Sequence, residues 1–290
     1  MIAATTWEPR TEISTEVLQP GPVAALAALL DDGLPTPASG DPLPPLWHWV
    51  ALPHWASSGA LDMDGHPRRG AFLPPIALPR RMFAGGTVRF PGVLSVGDTI
   101  VRESEVLKVA EKNGRSGQLV IVDVRTRLHN SAGELAVEEI QNLVYRPAAV
   151  PATGPTPEPP CQPAIPAAPL RQTSELTWEL HTDPSLLMRF SAATANAHRI
   201  HYDWPYATGV EGYPGLVVHG PLQAIALAEI HRLSASAPVA SLTHRGNAPL
   251  FCGQSAQLRR TPRPAGSLLE LFGPRGESAG PNAILELTTA

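Results

Sequence analysis

The sequence predicts an α+β fold of two similar halves, each an antiparallel sheet curved around a helix. Three observations carry this: a proline-rich segment near the middle, the same helix-then-strands order on both sides of it, and a short echo between the two sets of strands. The segment 147–170 holds nine of the 33 prolines. Proline lacks a backbone donor and fixes φ, so this stretch packs neither as a helix nor as a central strand and reads as a semi-rigid spacer. It leaves domains at 1–146 and 171–290.

In the first half, Val17, Ala24, Ala25, Ala28 and Leu29 predict a helix over 16–32 that stops at Gly33. A segment rich in proline and tryptophan follows at 43–81, with Trp47, His48, Trp49, His54 and Trp55. Alternation then predicts strands at 87–90, 99–110, 117–129 and 134–145, with turns at Lys112-Asn113-Gly114 and at 130–133. The second half reads as a strand at 173–182, a helix at 184–194, a polar loop at 195–218 and a strongly apolar helix at 221–233. Short strands at 239–243, 254–260, 268–272 and 283–287 complete it. Residues 92–100 line up with 248–256, each leading into its set of strands. A helix followed by a curved antiparallel sheet, twice, is the outline of a double hot-dog fold, and two such sheets side by side hide each other's edges.

Composition narrows the function. The 290 residues are 43% hydrophobic and 17% charged, enough for two real cores and too little charge for a disordered chain. A net charge of −4 and a pI near 6.2 leave no basic surplus for nucleic acid. Cys161 and Cys252 make neither a disulfide framework nor a cysteine zinc site. The longest apolar run near the N-terminus, 23–30, is eight residues, against the ~20 of a membrane span. A cytoplasmic chain with no nucleic-acid or membrane partner is expected, either a monomer with a built-in pseudo-dimer or a homodimer.

The chemistry concentrates in one segment: Asn196, His198, Arg199, His201, Tyr202 and Asp203, then Gly212-Tyr213-Pro214-Gly215 and His219-Gly220-Pro221. This pattern resembles the R-specific enoyl-CoA hydratases and MaoC-like dehydratases. Their motif is a short helix, then Gly-Asp-x-Asn-Pro-(Ile/Leu)-His, and later a His-Gly that opens the central helix. The motif's histidine falls on His201 and its His-Gly on His219-Gly220. Its aspartate falls on Asn196, its asparagine on His198 and its proline on Arg199. With Pro45-Leu46-Trp47-His48-Trp49 and Pro79-Arg80-Arg81-Met82 in the first half, the chain is similar to the mesaconyl-C4-CoA (3-methylfumaryl-CoA) hydratase branch. That branch lies near the mitochondrial type 2 hydroxyacyl-thioester dehydratases.

The resemblance implies reversible hydration of the C2=C3 bond of an enoyl-CoA, with a branched dicarboxylic thioester giving citramalyl-CoA. That reaction needs activated water, a proton for the α-carbon and stabilisation of an enolate-like oxygen. Histidine exchanges protons near neutral pH, which suits His201 as the acid/base. Asn196 cannot be a base and would hold the water. Gly220, at a helix N-terminus, would offer its amide to the oxyanion. Arg199 is expected to meet a second substrate carboxylate. His198, Tyr202, Arg80 and Arg81 complete the candidates for substrate contact, the two adjacent arginines as CoA-phosphate ligands or as an ion pair between halves.

Plainer readings stand beside these. His198 and His201 are spaced for a metal, but His-x-x-His is common, and no metal or redox cofactor is expected. Asp203, before Trp204-Pro205, reads as a helix cap. Trp47, Trp49 and Trp55 are core residues or tunnel walls. Two rivals remain: an enzyme of this fold acting on another acyl-CoA or carrier-bound 3-hydroxyacyl thioester, and a non-catalytic acyl-CoA-binding subunit, prompted by Asn196.

Overall fold

Period-two alternation carries the chain into strands on both sides of the proline-rich segment. The first half has β1 (Thr11–Val17), β2 (Arg80–Arg89), β3 (Thr99–Gly114), β4 (Gly117–His129) and β5 (Leu135–Arg146). The second has β6 (Leu170–Ser174), β7 (Thr177–Leu180), β8 (Val239–Gly246), β9 (Ala256–Arg263), β10 (Gly266–Phe272) and β11 (Ala283–Thr289). The α-helices are α1 (Pro20–Leu30), α2 (His48–Ala51), α3 (Pro184–Ala193) and α4 (Gly220–Ser234). This computed structural model describes residues 7–114, 117–148, 167–234 and 237–290. Most of the expected spacer, 149–166 with Cys161, lies outside the described residues.

The strands pair antiparallel into one 11-stranded sheet in the order β1-β3-β4-β5-β2-β8-β11-β10-β9-β7-β6. Leaving β6 aside, the order reads the same from either end when β1 to β5 are matched in turn with β7 to β11. The join is β2 against β8, where Thr87 faces Thr243. These two are 156 positions apart (87 to 243), the interval that also separates Gly97 from Gly253 within the sequence echo (97 to 253). A near two-fold axis therefore passes close to this pair, and the double hot-dog architecture is in place.

Helix α4 is the central helix of the second half. Residues 222–231 are all buried, and the helix packs on β9, β10, β11 and β2. Its counterpart in the first half is cut to one turn. Before α4, Val217 bridges to Phe251; before α2, Pro42 bridges to Ser95, again 156 positions from its equivalent (95 to 251). Helix α2 then ends at Ala51. The inner faces of β4 and β5, which correspond to the strands that α4 covers, instead line a cavity of about 600 Å³ through Val124, Thr126, Leu128, Glu139, Gln141 and Leu143.

Local chemistry explains the helix ends. Asp183 caps α3 by accepting the amides of Ser185 and Leu186 at 2.8 and 3.2 Å, and Pro184 occupies the first turn. Helix α1 starts at Pro20 and ends at Leu30, capped by Asp31 in a left-handed φ of 44°. It is shorter than the expected 16–32 because Glu16 and Val17 pair with Ile100 and Thr99 in a strand the sequence pattern did not reveal. The strand expected over 173–182 is a hairpin, β6 and β7, whose tight turn is held by hydroxyl contacts among Thr173, Ser174 and Thr177. Strand β2 begins at Arg80 rather than 87, and Lys112 and Asn113, expected in a turn, still pair with Leu119 and Gln118.

The irregular segment after α2 crosses to the second half. The carbonyl of Asp64 accepts the Arg199 amide at 2.9 Å. Gly65 has φ +89°, and a Cβ there would lie 1.8 Å from the Ala197 carbonyl oxygen. Only glycine permits this approach. Gly65→Ala should therefore cost at least ~2 kcal/mol in denaturant unfolding. Gly59→Ala, with nothing within 4 Å of the new methyl, should stay within about 0.5 kcal/mol. Equal midpoints for the two variants would contradict this docking.

Candidate active site

The loop between α3 and α4 begins with Ala195 in a left-handed conformation, φ 52°, and the Asn196 amide returns to the Ser191 carbonyl at 2.9 Å. A 3-10 turn, Arg199–His201, then delivers His201 to the cavity. Its Nδ1–H donates to the Val217 carbonyl at 2.7 Å, which leaves the Nε2 lone pair free to act as a base. The ring stacks on His219 at 3.6 Å between centroids and 18° between planes. His219 is itself tied to Ser191 of α3, Nε2 to Oγ 2.8 Å. Burial lowers the His201 pKa to about 4, partly opposed by the bond to Val217. At neutral pH the ring is an uncharged base in a fixed orientation.

The structure brings several predicted residues to the cavity. Asn196, His198 and Gly220 line it with His201. Asn196 accepts the His198 amide on its side-chain oxygen at 3.1 Å. The His198 ring meets His201 edge-on at 5.5 Å, and burial holds its pKa well below the usual imidazole value. Gly220 opens α4, and any side chain there would strike Phe83, whose Cδ1 would lie 2.8 Å from a Cβ. Its amide belongs to a helix N-terminus facing the cavity, the place where an oxyanion is stabilised.

Other candidates fall elsewhere. Arg199 does not line the cavity: it pairs with Asp203 at 2.7 Å and lies 4.3 Å over the Tyr206 ring. Tyr202 is exposed and donates to the Ala197 carbonyl at 2.8 Å. Asp203 also accepts the Tyr206 amide at 3.2 Å, the capping role expected of it. Arg80 pairs with Glu211 of the second half at 2.6 Å, whereas Arg81 turns into the cavity rather than onto the outer surface. Of the tryptophans, Trp47 is core, Trp49 lines the cavity and Trp55 is 70% exposed.

Two groups of cavity residues escaped sequence reasoning. From the segment after α2 come His66, which lines the cavity, and Asp64, which holds it from behind. The carboxylate accepts the His66 amide at 2.9 Å and its Nδ1–H at 3.0 Å, and the His66 ring lies 4.1 Å from that of His198. Burial lowers His66 to about 4. Asp64, which burial alone would raise, is held well below the usual carboxylate range by the His66 hydrogen bonds. Ligand atoms of Asp64, His66 and His198 lie within 4.8 Å of one another, close enough for a metal ion, although both Asp64 oxygens already accept from His66. The second group is buried Glu139, which accepts from His48 Nε2 at 3.2 Å and Trp49 Nε1 at 3.0 Å. The only sequence signal for the first group was Asp64-Gly65-His66 inside a proline-rich stretch; Glu139 sits at an inward position of a strand and gave none.

Comparison with known proteins adds to this geometry. The sequence profile of hydroxyacyl-thioester dehydratase type 2 matches residues 46–252. The chain is 43% identical over 277 residues, 94% of each chain, to the mesaconyl-C(4)-CoA hydratase of Chloroflexus aurantiacus. Among solved structures, HtdX of Mycobacterium tuberculosis matches with a TM-score of 0.67 at 18% identity, covering 97% of this chain and 100% of its own. A second Mycobacterium tuberculosis protein, described as a double hot-dog fold, matches at 0.53 and 15% identity, covering 98% and 96%. Both structural matches speak to the fold alone. Among the described residues no helix is long and apolar enough to cross a membrane.

The electrostatics of the site predict that the ring protons of His201 titrate near pH 4 rather than near 6.5 when followed by NMR. The ring is thus neutral throughout the range above about pH 5. A midpoint near 6.5 would mean that the ring is not buried as described.

Proposed function

The chain belongs to the hydroxyacyl-thioester dehydratase type 2 family, and from that membership we propose that it reversibly hydrates the C2=C3 bond of mesaconyl-C4-CoA to give citramalyl-CoA. The observation that carries the reaction is His201: an uncharged imidazole, its tautomer set by Val217 and its free nitrogen facing a cavity that the N-terminus of α4 also faces. The substrate assignment rests on the 43% identity, over 94% of each chain, to a mesaconyl-C(4)-CoA hydratase.

In this reading His201 Nε2 takes a proton from water as its oxygen bonds to the β-carbon. The electron pair of the double bond moves to the α-carbon and onto the thioester oxygen. The Gly220 amide stabilises that developing enolate, and Asn196 orients the water. His201 then returns its proton to the α-carbon, so one residue serves as base and acid. Residues 171–290 form the half that carries this machinery and 1–146 a degenerate half that walls the substrate, joined by 147–170. The shortened α2, which leaves the first sheet open to the cavity, supports that division. A cytoplasmic chain, a monomer or a homodimer of such units, is part of the same proposal.

The family and its Schizosaccharomyces pombe member, a mitochondrial hydroxyacyl-thioester dehydratase type 2 that is 26% identical over 75% of this chain and 78% of its own, favour the reverse direction as a second reading. The same groups serve dehydration of a 3-hydroxyacyl thioester by microscopic reversibility.

Loss of enoyl-thioester absorbance with mesaconyl-C4-CoA tests the proposal. His201→Gln should lower kcat on the order of 10²- to 10⁴-fold while leaving thioester binding intact. Hydration by His201→Gln at the wild-type rate would remove His201 from the chemistry; no turnover of any enoyl-CoA by the wild type would remove the hydratase reading.

A further inference from the structure

Arg81 is a cation in no ion pair among the described residues. It lies on β2 directly across from Tyr145 on β5, its charge acts on the buried Tyr145 hydroxyl, and that hydroxyl makes no hydrogen bond among the described residues. Two of the neighbouring arginines, Arg80 and Arg69, are committed. Arg80, on the opposite face of the strand, pairs with Glu211 at 2.6 Å and lies 5.0 Å over the Tyr213 ring. Arg69 donates to the carbonyls of Ile76, Leu78 and Pro79 at 2.8, 2.6 and 3.1 Å. Arg81 alone of the three lines the cavity, and no acidic group among the described residues forms an ion pair with it. Asp64, the acid whose charge reaches it, spends both oxygens on His66. A guanidinium held away from bulk water with no carboxylate is costly, and its planar fork matches a carboxylate ligand.

Substrate chemistry says where such a ligand would be. In a mesaconyl-C4 thioester the free carboxylate is carried by the β-carbon, the same atom that accepts water. Its binding group must therefore lie close to the base. From His201 the imidazoles run to His198 at 5.5 Å and on to His66 at 4.1 Å, and the Arg81 charge acts on both of the latter. Arg81, His66, His198 and His201 all line the one cavity, so a carboxylate seated on Arg81 would share a chamber with the base.

We infer that Arg81, backed by Tyr145, binds the free carboxylate on the β-carbon of the substrate and so selects dicarboxylic over monocarboxylic acyl-CoA thioesters. The inference rests on the dicarboxylic substrate of the proposed function, and it moves to the first half a role that the sequence pattern assigned to Arg199.

Binding of two unreactive C4 thioesters tests it without requiring turnover. Succinyl-CoA carries a carboxylate on its β-carbon, and butyryl-CoA carries a methyl there. Calorimetric titration of the wild-type protein should show succinyl-CoA bound on the order of 10- to 100-fold more tightly, the worth of a charge-assisted pair. Arg81→Met should abolish that preference while leaving butyryl-CoA affinity within about threefold, which also reports that the variant is folded. Arg81→Lys, which keeps the charge without the fork, should retain part of the preference, and Arg199→Ala should retain all of it. Equal affinities in the wild type, a preference that survives Arg81→Met, or an equal loss for both thioesters in Arg81→Met and Arg81→Lys would each overturn the inference. Failure of the hydratase reading would show separately, as absence of turnover by the wild type whatever these affinities are.

Discussion

The pairing of β2 with β8 is the contact on which the rest of the molecule depends. It joins the two curved sheets edge to edge around the Thr87–Thr243 pair and removes two edges that would otherwise be open to association. It also sets the concave face of the first sheet beside α4. Where a second full helix would restore the symmetry, α2 stops after one turn, and the exposed concavity becomes the cavity. The asymmetry between the halves is thus the source of the cavity: the second half keeps its helix and supplies a helix N-terminus, and the first gives up most of its helix and supplies space.

A site made this way is composite. His201 and Gly220, with His219 packed behind His201, come from one half, and His66 and Arg81, with Asp64 holding His66, from the other. The two are locked by the approach of Gly65 to Ala197 and by the bond from the Arg199 amide to Asp64. Within it, His201 is oriented by neutral contacts rather than by charge. His201 is held by a carbonyl and a stacked ring, and its burial keeps it uncharged. That arrangement suits a reaction in which one group must accept and return the same proton, since an imidazole locked to an adjacent carboxylate would hold its proton more firmly. Asn196 at the position of the motif's aspartate is consistent with this: among the described residues no carboxylate touches His201.

How much of this was legible in the sequence follows from distance along the chain. His201 and His219-Gly220 lie within one segment of 20 residues or so, and a local motif makes them readable. The long strands were readable because their alternation is strong, as at β4, whose bounds agree. Strand β1 was not, because nearly all its side chains are exposed and leave no alternation to see. Asp64, His66 and Arg81 reach the site only through the crossing of the segment after α2, which no periodicity announces. Arg199 lies off the cavity for a reason legible in the sequence: Asp203 is four residues on, the spacing at which opposite charges meet on a helical turn.

An acyl group that reacts in the cavity between the halves must lie against the N-terminus of α4. A crystal structure with bound methylsuccinyl-C4-CoA, which keeps the substrate's shape but lacks the double bond, tests it most directly. The account predicts the thioester oxygen within hydrogen-bonding distance of the Gly220 amide and the β-carbon facing His201 Nε2. An acyl group lodged outside the cavity, or one whose β-carbon points away from His201, would contradict it.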